Sequence, residues 1–301
     1  MRCRLGALVL AVLVVPGPPP ASAQPSSFDV VAHRGGAAAL EIGVSTLEFD
    51  IGITKDGQPV VWHDQDIRPQ YCADTGPAVA GDPQYPYVGK LVYELTLAQI
   101  RTLDCGDPIA TLPEIFALTD SYRADVRYDI EIKVDPERPG ASASPQEFVD
   151  VILDAARLAG KLDRVEIQSF DWQTLPMVRR AEPSIPLVAL WNQTTWRPGS
   201  PWLAGIDPAL VGDPVLAAAM VGASIVSPAY PLVDSALVDR AHALGITVLP
   251  WTVNDDGAMR TLIAAGVDGI ITDRPAQLRA VMADLGMPLP ARAVKPPAVA
   301  R

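Results

Sequence analysis

The sequence predicts one α/β domain, a TIM-type (β/α)8 barrel, and three observations carry that expectation. Short apolar runs alternate with helical stretches along almost the whole chain. Nine runs qualify as strands, but Thr46 to Ile51 and Pro59 to Trp62 are separated only by the turn Lys55-Asp56-Gly57 and form one hairpin-like unit, leaving eight alternating units. Polar, titratable residues gather where the runs end, which is the face on which a barrel builds its site.

The barrel begins after a leader. Arg2 and Arg4 precede an apolar core, Leu5 to Val15, and Ala21-Ser22-Ala23 is a small-residue cleavage site. Residues 1–23 therefore read as a secretory signal peptide, and the protein as exported, periplasmic or extracellular. The apolar run is too short for a membrane span, and Pro16 to Pro20 break it. No stable membrane insertion is expected. The net charge of −11 argues against a nucleic-acid partner but leaves room for a small anionic substrate.

Residues 24–286 are assigned to the barrel. Phe28 to Ala32 is the first strand, ending at His33-Arg34-Gly35. The link Gly36 to Ser45 has space for at most two helical turns, in Ala37 to Ile42, so the first β-α unit is shortened. Thr46 to Ile51 and the excursion to His63-Asp64 follow. Residues 65–110 are rich in turn formers and read as an insertion on the active-site face, with one short helix over Leu95 to Leu103. Cys72 and Cys105, an even pair in an exported chain, read as a disulfide stapling that insertion, or else as two buried thiols.

Alternation then resumes. Leu112 to Tyr122 is a helix with Pro113 in its first turn. Arg127 to Lys133 is a strand, Pro145 to Ala159 a helix and Val165 to Phe170 a strand. Asp171 is expected to cap a helix running to Arg180. Strands are read at Pro186 to Trp191, Ala223 to Ser227, Ile246 to Val253 and Gly269 to Thr272. Between them fall the helices Pro208 to Met220, Asp234 to Leu244 and Asp255 to Ala265. Residues 287–301 are Pro/Ala-rich and read as a disordered tail.

The chemistry follows from period two. Glu48 and Asp50 lie one residue apart at a strand end and face one way, as do Glu131 and Lys133 on the next barrel strand. Three convergent carboxylates, Glu48, Asp50 and Glu131, are a hard-oxygen set suited to a divalent metal, Ca²⁺ or Mg²⁺. His33 and His63 each end an apolar run and are the candidate acid–base pair, since imidazole titrates near neutrality. Arg34 and Lys133 supply positive charge for phosphate oxygens. Trp251 is a candidate pocket wall or a stacking surface for a head group. His242, in mid-helix, has no assigned role.

These residues resemble the glycerophosphodiester phosphodiesterase family, whose barrel is similar to that of the phosphatidylinositol phospholipases C. The resemblance is carried by His33-Arg34-Gly35, Leu47-Glu48-Phe49-Asp50, Thr54-Lys55-Asp56-Gly57, Val60-Val61-Trp62-His63-Asp64, Ile130-Glu131-Ile132-Lys133, Ser169-Phe170, Trp251-Thr252-Val253-Asn254 and Asp268-Gly269-Ile270-Ile271-Thr272-Asp273-Arg274-Pro275. It spans residues 28–282. It implies hydrolysis of small-molecule glycerophosphodiesters to glycerol 3-phosphate and an alcohol. It puts the metal on Glu48, Asp50 and Glu131, makes His33 and His63 the acid–base pair, and gives Arg34 and Lys133 to the phosphate. A route through a cyclic phosphate is implied beside direct attack by water. One departure stands out: the Pro-Glu-Asn-Thr-like segment that usually follows the His-Arg-Gly motif is absent, and Gly36-Ala37-Ala38-Ala39-Leu40 runs straight on. The alternatives are a related barrel phospholipase acting on intact lipids, and a phosphodiester-binding protein impaired by that missing segment.

Overall fold

The computed structural model describes residues 27–296; the leader read at residues 1–23 lies outside them. The chain runs β1 (Asp29–Ala32), α1 (Ala37–Ile42), β2 (Thr46–Ile53), β3 (Pro59–Val61), β4 (Ala73–Asp74), α2 (Leu97–Ile100), β5 (Leu103–Asp104), α3 (Leu112–Ser121), β6 (Arg127–Ile132), α4 (Pro145–Leu158) and β7 (Val165–Ser169). It continues with α5 (Thr174–Ala181), β8 (Leu187–Trp191), α6 (Pro208–Val211), α7 (Pro214–Met220), β9 (Ile225–Pro228), α8 (Ser235–Ala243), β10 (Thr247–Val248), α9 (Asp256–Ala265), β11 (Gly269–Thr272) and α10 (Pro275–Asp284).

Eight of these strands pair in parallel in the order β10-β9-β8-β7-β6-β2-β1-β11, and β3 turns back antiparallel on β2. The ends of that row meet: Asp268 N donates to Val248 O at 3.1 Å and Ile271 N to Pro250 O at 3.0 Å. The sheet is thus a nearly closed (β/α)8 barrel. Its strands are buried on both faces, which is why they read as near-continuous apolar runs.

The register sets the site. Glu48 lies opposite Asp129, Asp50 opposite Glu131, and Glu131 opposite Gln168. Parallel neighbours in register point the same way, so these polar side chains share the barrel interior. Close strand packing also fixes Gly269. A Cβ there would lie 2.5 Å from Asp29 Cβ and 2.7 Å from Leu249 Cδ2. Gly269→Ala is therefore expected to destabilise the barrel by about 1–3 kcal/mol, read as a lower melting temperature; an unchanged melt would contradict this packing.

Several boundaries differ from the sequence reading. The helix expected over 95–103 is only α2, because Thr96 and Gln99 cap one short turn and the chain then enters β5. The helix expected over 208–220 breaks at Gly212, which is left-handed (φ 70°), and Asp213 starts α7 by accepting from Val215 N. The strand expected over 246–253 stops at Val248, and Pro250 offers no amide to a ladder. Asp171 accepts from Gln173 N at 3.1 Å, one residue ahead of α5, rather than capping that helix itself.

The insertion carries its own apolar cluster, with Ile67, Tyr87, Val92 and Leu95 buried against Val60. Its outer end is a two-stranded β4–β5 ladder beside a disulfide between Cys72 and Cys105. α1 is only six residues long. The segment expected to open a disordered tail instead packs against it over the described residues 287–296. Ala293 N donates to Leu40 O at 2.9 Å, and Arg279 Nη1 bridges Gly43 O and Pro290 O at 2.6 Å each. The short first helix leaves apolar surface uncovered, and Met287 and Ala293 cover part of it. Among the described residues, no helix is long and apolar enough to cross a membrane.

Candidate active site

Strand ends deliver the polar groups to one cavity. β1 leads into His33, β2 carries Glu48 and Asp50, β3 leads towards His63, and β6 carries Glu131 and leads into Lys133. The cavity has a volume of about 140 Å³, and its wall also includes Gln168, Phe170 and Trp251.

At its floor, one oxygen from each of Glu48, Asp50 and Glu131 lies within 4.8 Å of the others, and all three residues are buried. Glu48 accepts from Arg34 N and Gln168 Nε2, both at 2.9 Å. Asp50 accepts from Arg34 Nε at 2.9 Å and lies 3.4 Å from Lys133 Nζ. Glu131 accepts from Lys133 Nζ at 2.7 Å. Arg34 reaches both acids because its backbone is left-handed, φ 52°, an uncommon conformation for a residue with a Cβ. Gly35 N, bonded to Ala32 O and Glu48 O, holds that turn.

Two cations face three buried carboxylates, so the ionised cluster carries one excess negative charge. Its titration reflects that excess. Burial, then Asp50 and Glu131, push the Glu48 carboxyl well above the usual range. Burial raises Glu131 to about 7 against the pull of Lys133. At Asp50 burial acts upward too, but Lys133, His63 and Arg34 outweigh it and hold the group low. Burial opposes the charge on Lys133, yet Glu131 and Asp50 keep its ammonium more basic than usual. A divalent cation among the three carboxylates would remove the repulsion that protons otherwise relieve. The residues present therefore fit such an ion.

The two histidines differ in support. His33 Nδ1 lies 2.6 Å from Asp273 Oδ1, and Asp273 Oδ2 accepts from Asn254 Nδ2 at 2.6 Å. A carboxylate at Nδ1 fixes the tautomer with the proton there and leaves Nε2 facing the cavity, 4.0 Å from Glu48 Oε2. Burial would raise Asp273, but its bonds to His33 and Asn254 hold it below the usual carboxylate range. His63 Nδ1 lies 3.0 Å from Asp64 Oδ1, and its side chain is 43% exposed. Burial and the charge on Lys133 lower its pKa. Trp251 walls the cavity, with Nε1 donating to Ser227 O at 2.8 Å and its ring edge-to-face with Phe170 at 5.3 Å. The eight candidate site residues thus meet around one cavity. His242 lies apart, bonded to Asp268.

Asp273, Asn254 and Gln168 were not singled out as site residues from the sequence. Asp273 directly follows the last strand and so lies at the site face, a placement that could have found it. A buried acidic layer beneath the site was also missed. Asp129 and Glu166 sit opposite each other inside the barrel, and neither oxygen of Asp129 has a hydrogen-bond partner among the described residues. Alternation in Arg127–Ile132 puts Asp129 on the face of Glu131, which was the available signal.

The family model described as "Glycerophosphoryl diester phosphodiesterase family" matches residues 36–277. The chain belongs to that family. It is 28% identical over 270 residues to the glycerophosphodiester phosphodiesterase of Caldanaerobacter subterraneus subsp. tengcongensis, covering 83% of this chain and 95% of the relative. A crystal structure from Silicibacter pomeroyi, assigned to the glycerophosphoryl diester phosphodiesterases, superposes with a TM-score of 0.73 at 29% identity, covering 88% of this chain and 96% of that one. An Oleispira antarctica phosphodiesterase solved with the product sn-glycerol-3-phosphate shares the fold, with a TM-score of 0.65 at 18% identity over 84% of this chain and 96% of that one.

Proposed function

We propose that this member of the family hydrolyses glycerophosphodiesters to glycerol 3-phosphate and an alcohol, outside the cytoplasm, with Ca²⁺ or Mg²⁺ held by Glu48, Asp50 and Glu131. The observation that carries the reading is the pair His33 and His63 lining the cavity that also holds this carboxylate cluster, Arg34 and Lys133. The product named for the Oleispira protein supports it. When bound, the cation polarises the phosphodiester and neutralises charge on its oxygens.

The chain's own residues do the rest. The Arg34 and Lys133 charges hold the diester at the cavity mouth. His33 acts as base. Its Nε2 takes the proton of the attacking oxygen: that of water, which gives glycerol 3-phosphate directly, or that of the neighbouring glycerol hydroxyl, which gives a cyclic phosphate that water then opens with the two histidines exchanging roles. Asp273 stabilises the imidazolium that results, as a carboxylate does behind any catalytic histidine. His63, at the mouth of the groove with Asp64 on its Nδ1, gives a proton to the departing alcohol oxygen. Export rests on the leader of residues 1–23.

A turnover assay tests this. Glycerol 3-phosphate is expected from water-soluble glycerophosphodiesters in the presence of Ca²⁺ or Mg²⁺, and chelator is expected to stop its release. Activity confined to lipid vesicles would favour the phospholipase reading. Thermal stabilisation by a diester without turnover would favour a binding protein.

A further inference from the structure

We infer that the groove beside His63 is the subsite for the leaving alcohol, and that it fits a ring-bearing polyol, uncharged or anionic, rather than an ammonium alcohol. The inference rests on the phosphodiesterase reading above and adds the substrate class.

Position comes first. In an in-line displacement the entering and leaving oxygens lie on opposite sides of phosphorus. His33 lines the 140 Å³ cavity, where Phe170 and Trp251 border a space of glycerol size. His63 lines that cavity, another of about 170 Å³ beside Arg138, and an open groove of about 620 Å³, and of the latter two only the groove also carries Arg34 and Asp50. Arg34 and Asp50 are shared by the 140 Å³ cavity and the groove, so a phosphorus held near them has its glycerol in that smaller cavity and its alcohol in the groove. The larger volume lies where the variable half of the substrate departs.

The lining defines what fits. Trp62 and Tyr71 stand edge-to-face at 6.3 Å. The indole is fixed by its Nε1 donating to Asp66 O at 3.0 Å, and Tyr71 is 61% exposed, a large aromatic surface turned toward the groove. Arg68 is held from behind, its Nε 3.2 Å from Asp64 Oδ2 and 3.4 Å from Asp66 Oδ1, while the side chain stays 43% exposed at the groove. An aromatic surface beside a half-exposed guanidinium matches a polyol ring. The C–H face lies on the aromatics and the hydroxyls reach the outer guanidinium nitrogens of Arg68. Charge argues against an ammonium. Two guanidiniums, Arg34 and Arg68, line the groove, and its two carboxylates, Asp50 and Asp64, are already paired with them.

The wall is also preformed. Tyr71 precedes Cys72, whose disulfide to Cys105 and the adjoining β4–β5 ladder tie this segment down. A fixed surface costs less ordering on binding than a mobile loop does.

The test compares kcat/KM for glycerophospho-myo-inositol and glycerophosphocholine. The inositol diester is expected to be preferred by about tenfold or more. Tyr71→Ala should bring that ratio close to one, and Tyr71→Phe should keep it. A merely structural Tyr71 would lower both values together and leave the ratio unchanged. A choline diester hydrolysed as well as the inositol diester, or a ratio that survives Tyr71→Ala, overturns the inference. Failure to turn over either diester, or glycerophosphoethanol, with Ca²⁺ or Mg²⁺ overturns the phosphodiesterase reading itself.

Discussion

His33→Ala is expected to lower kcat on a glycerophosphodiester by about 10²–10⁴-fold, the usual worth of a positioned general base. His63→Ala should cost a similar factor with an ordinary alcohol as leaving group. The two losses separate when the leaving group changes. An aryl diester such as glycerophospho-p-nitrophenol expels an oxygen that needs little help from a proton. His63→Ala should recover most of its activity on it, and His33→Ala should not. The asymmetry follows from the geometry. His33 has Asp273 behind it at 2.6 Å and Asn254 behind that, the support of a group that must gain charge. His63 has Asp64 at the longer distance of 3.0 Å, while burial and Lys133 outweigh Asp50 and Asp64 and disfavour its charged form. Asp273→Asn should lower kcat as well, by less than His33→Ala. Recovery of both histidine variants on the aryl substrate, or of neither, would reject the assigned roles.

What the sequence disclosed and what it withheld divide along one physical line. Groups that share a strand are fixed by its period of two. Glu48 with Asp50, and Glu131 with Lys133, were therefore legible, as was the convergence of strand ends at one face of a barrel. Groups brought together by closure of the barrel were not. Asp273 is 240 positions from His33 and becomes its partner only because β11 lies beside β1. Gln168 reaches Glu48 from 120 positions away, and its strand end gave no hint of a donor role. The groove depends on the insertion, whose turn-rich composition announces no element while its small core fixes Tyr71 and Arg68 in space. Segment 287–296 reads as a tail for a related reason. Proline and alanine suggest a tail when nothing shows that α1 is short enough to need covering.

Metal removal should destabilise the protein, and by more at pH 8 than at pH 5. In the metal-free barrel Glu131 and Glu166 both titrate at about 7, raised chiefly by burial, against an ordinary value of 4.5. Between those values the folded chain binds more protons than the unfolded one, so its stability falls as pH rises. The stabilising protons are fully present below about 4.5 and lost once pH passes about 7, and each group is worth roughly 3 kcal/mol over that span at 1.36 kcal/mol per pKa unit. A divalent cation acts in the opposite sense. It binds the deprotonated cluster, releases protons, and at a concentration about a hundredfold above Kd adds about 2.7 kcal/mol. For a chain of this size about 1 kcal/mol moves the melting temperature by roughly 2–4 °C, so thermal melts with Ca²⁺, Mg²⁺ or chelator between pH 5 and 8 resolve the effect. Two variants separate the sources. Glu131→Gln should remove most of the metal-induced rise at pH 8. Glu166→Gln should flatten the metal-free decline and leave the response to metal in place, since Glu166 belongs to the layer beneath the cluster. A metal-induced rise of equal size at pH 5 and pH 8 would show that the cation does not compete with protons for these carboxylates. No rise at either pH would remove Glu48, Asp50 and Glu131 as its ligands.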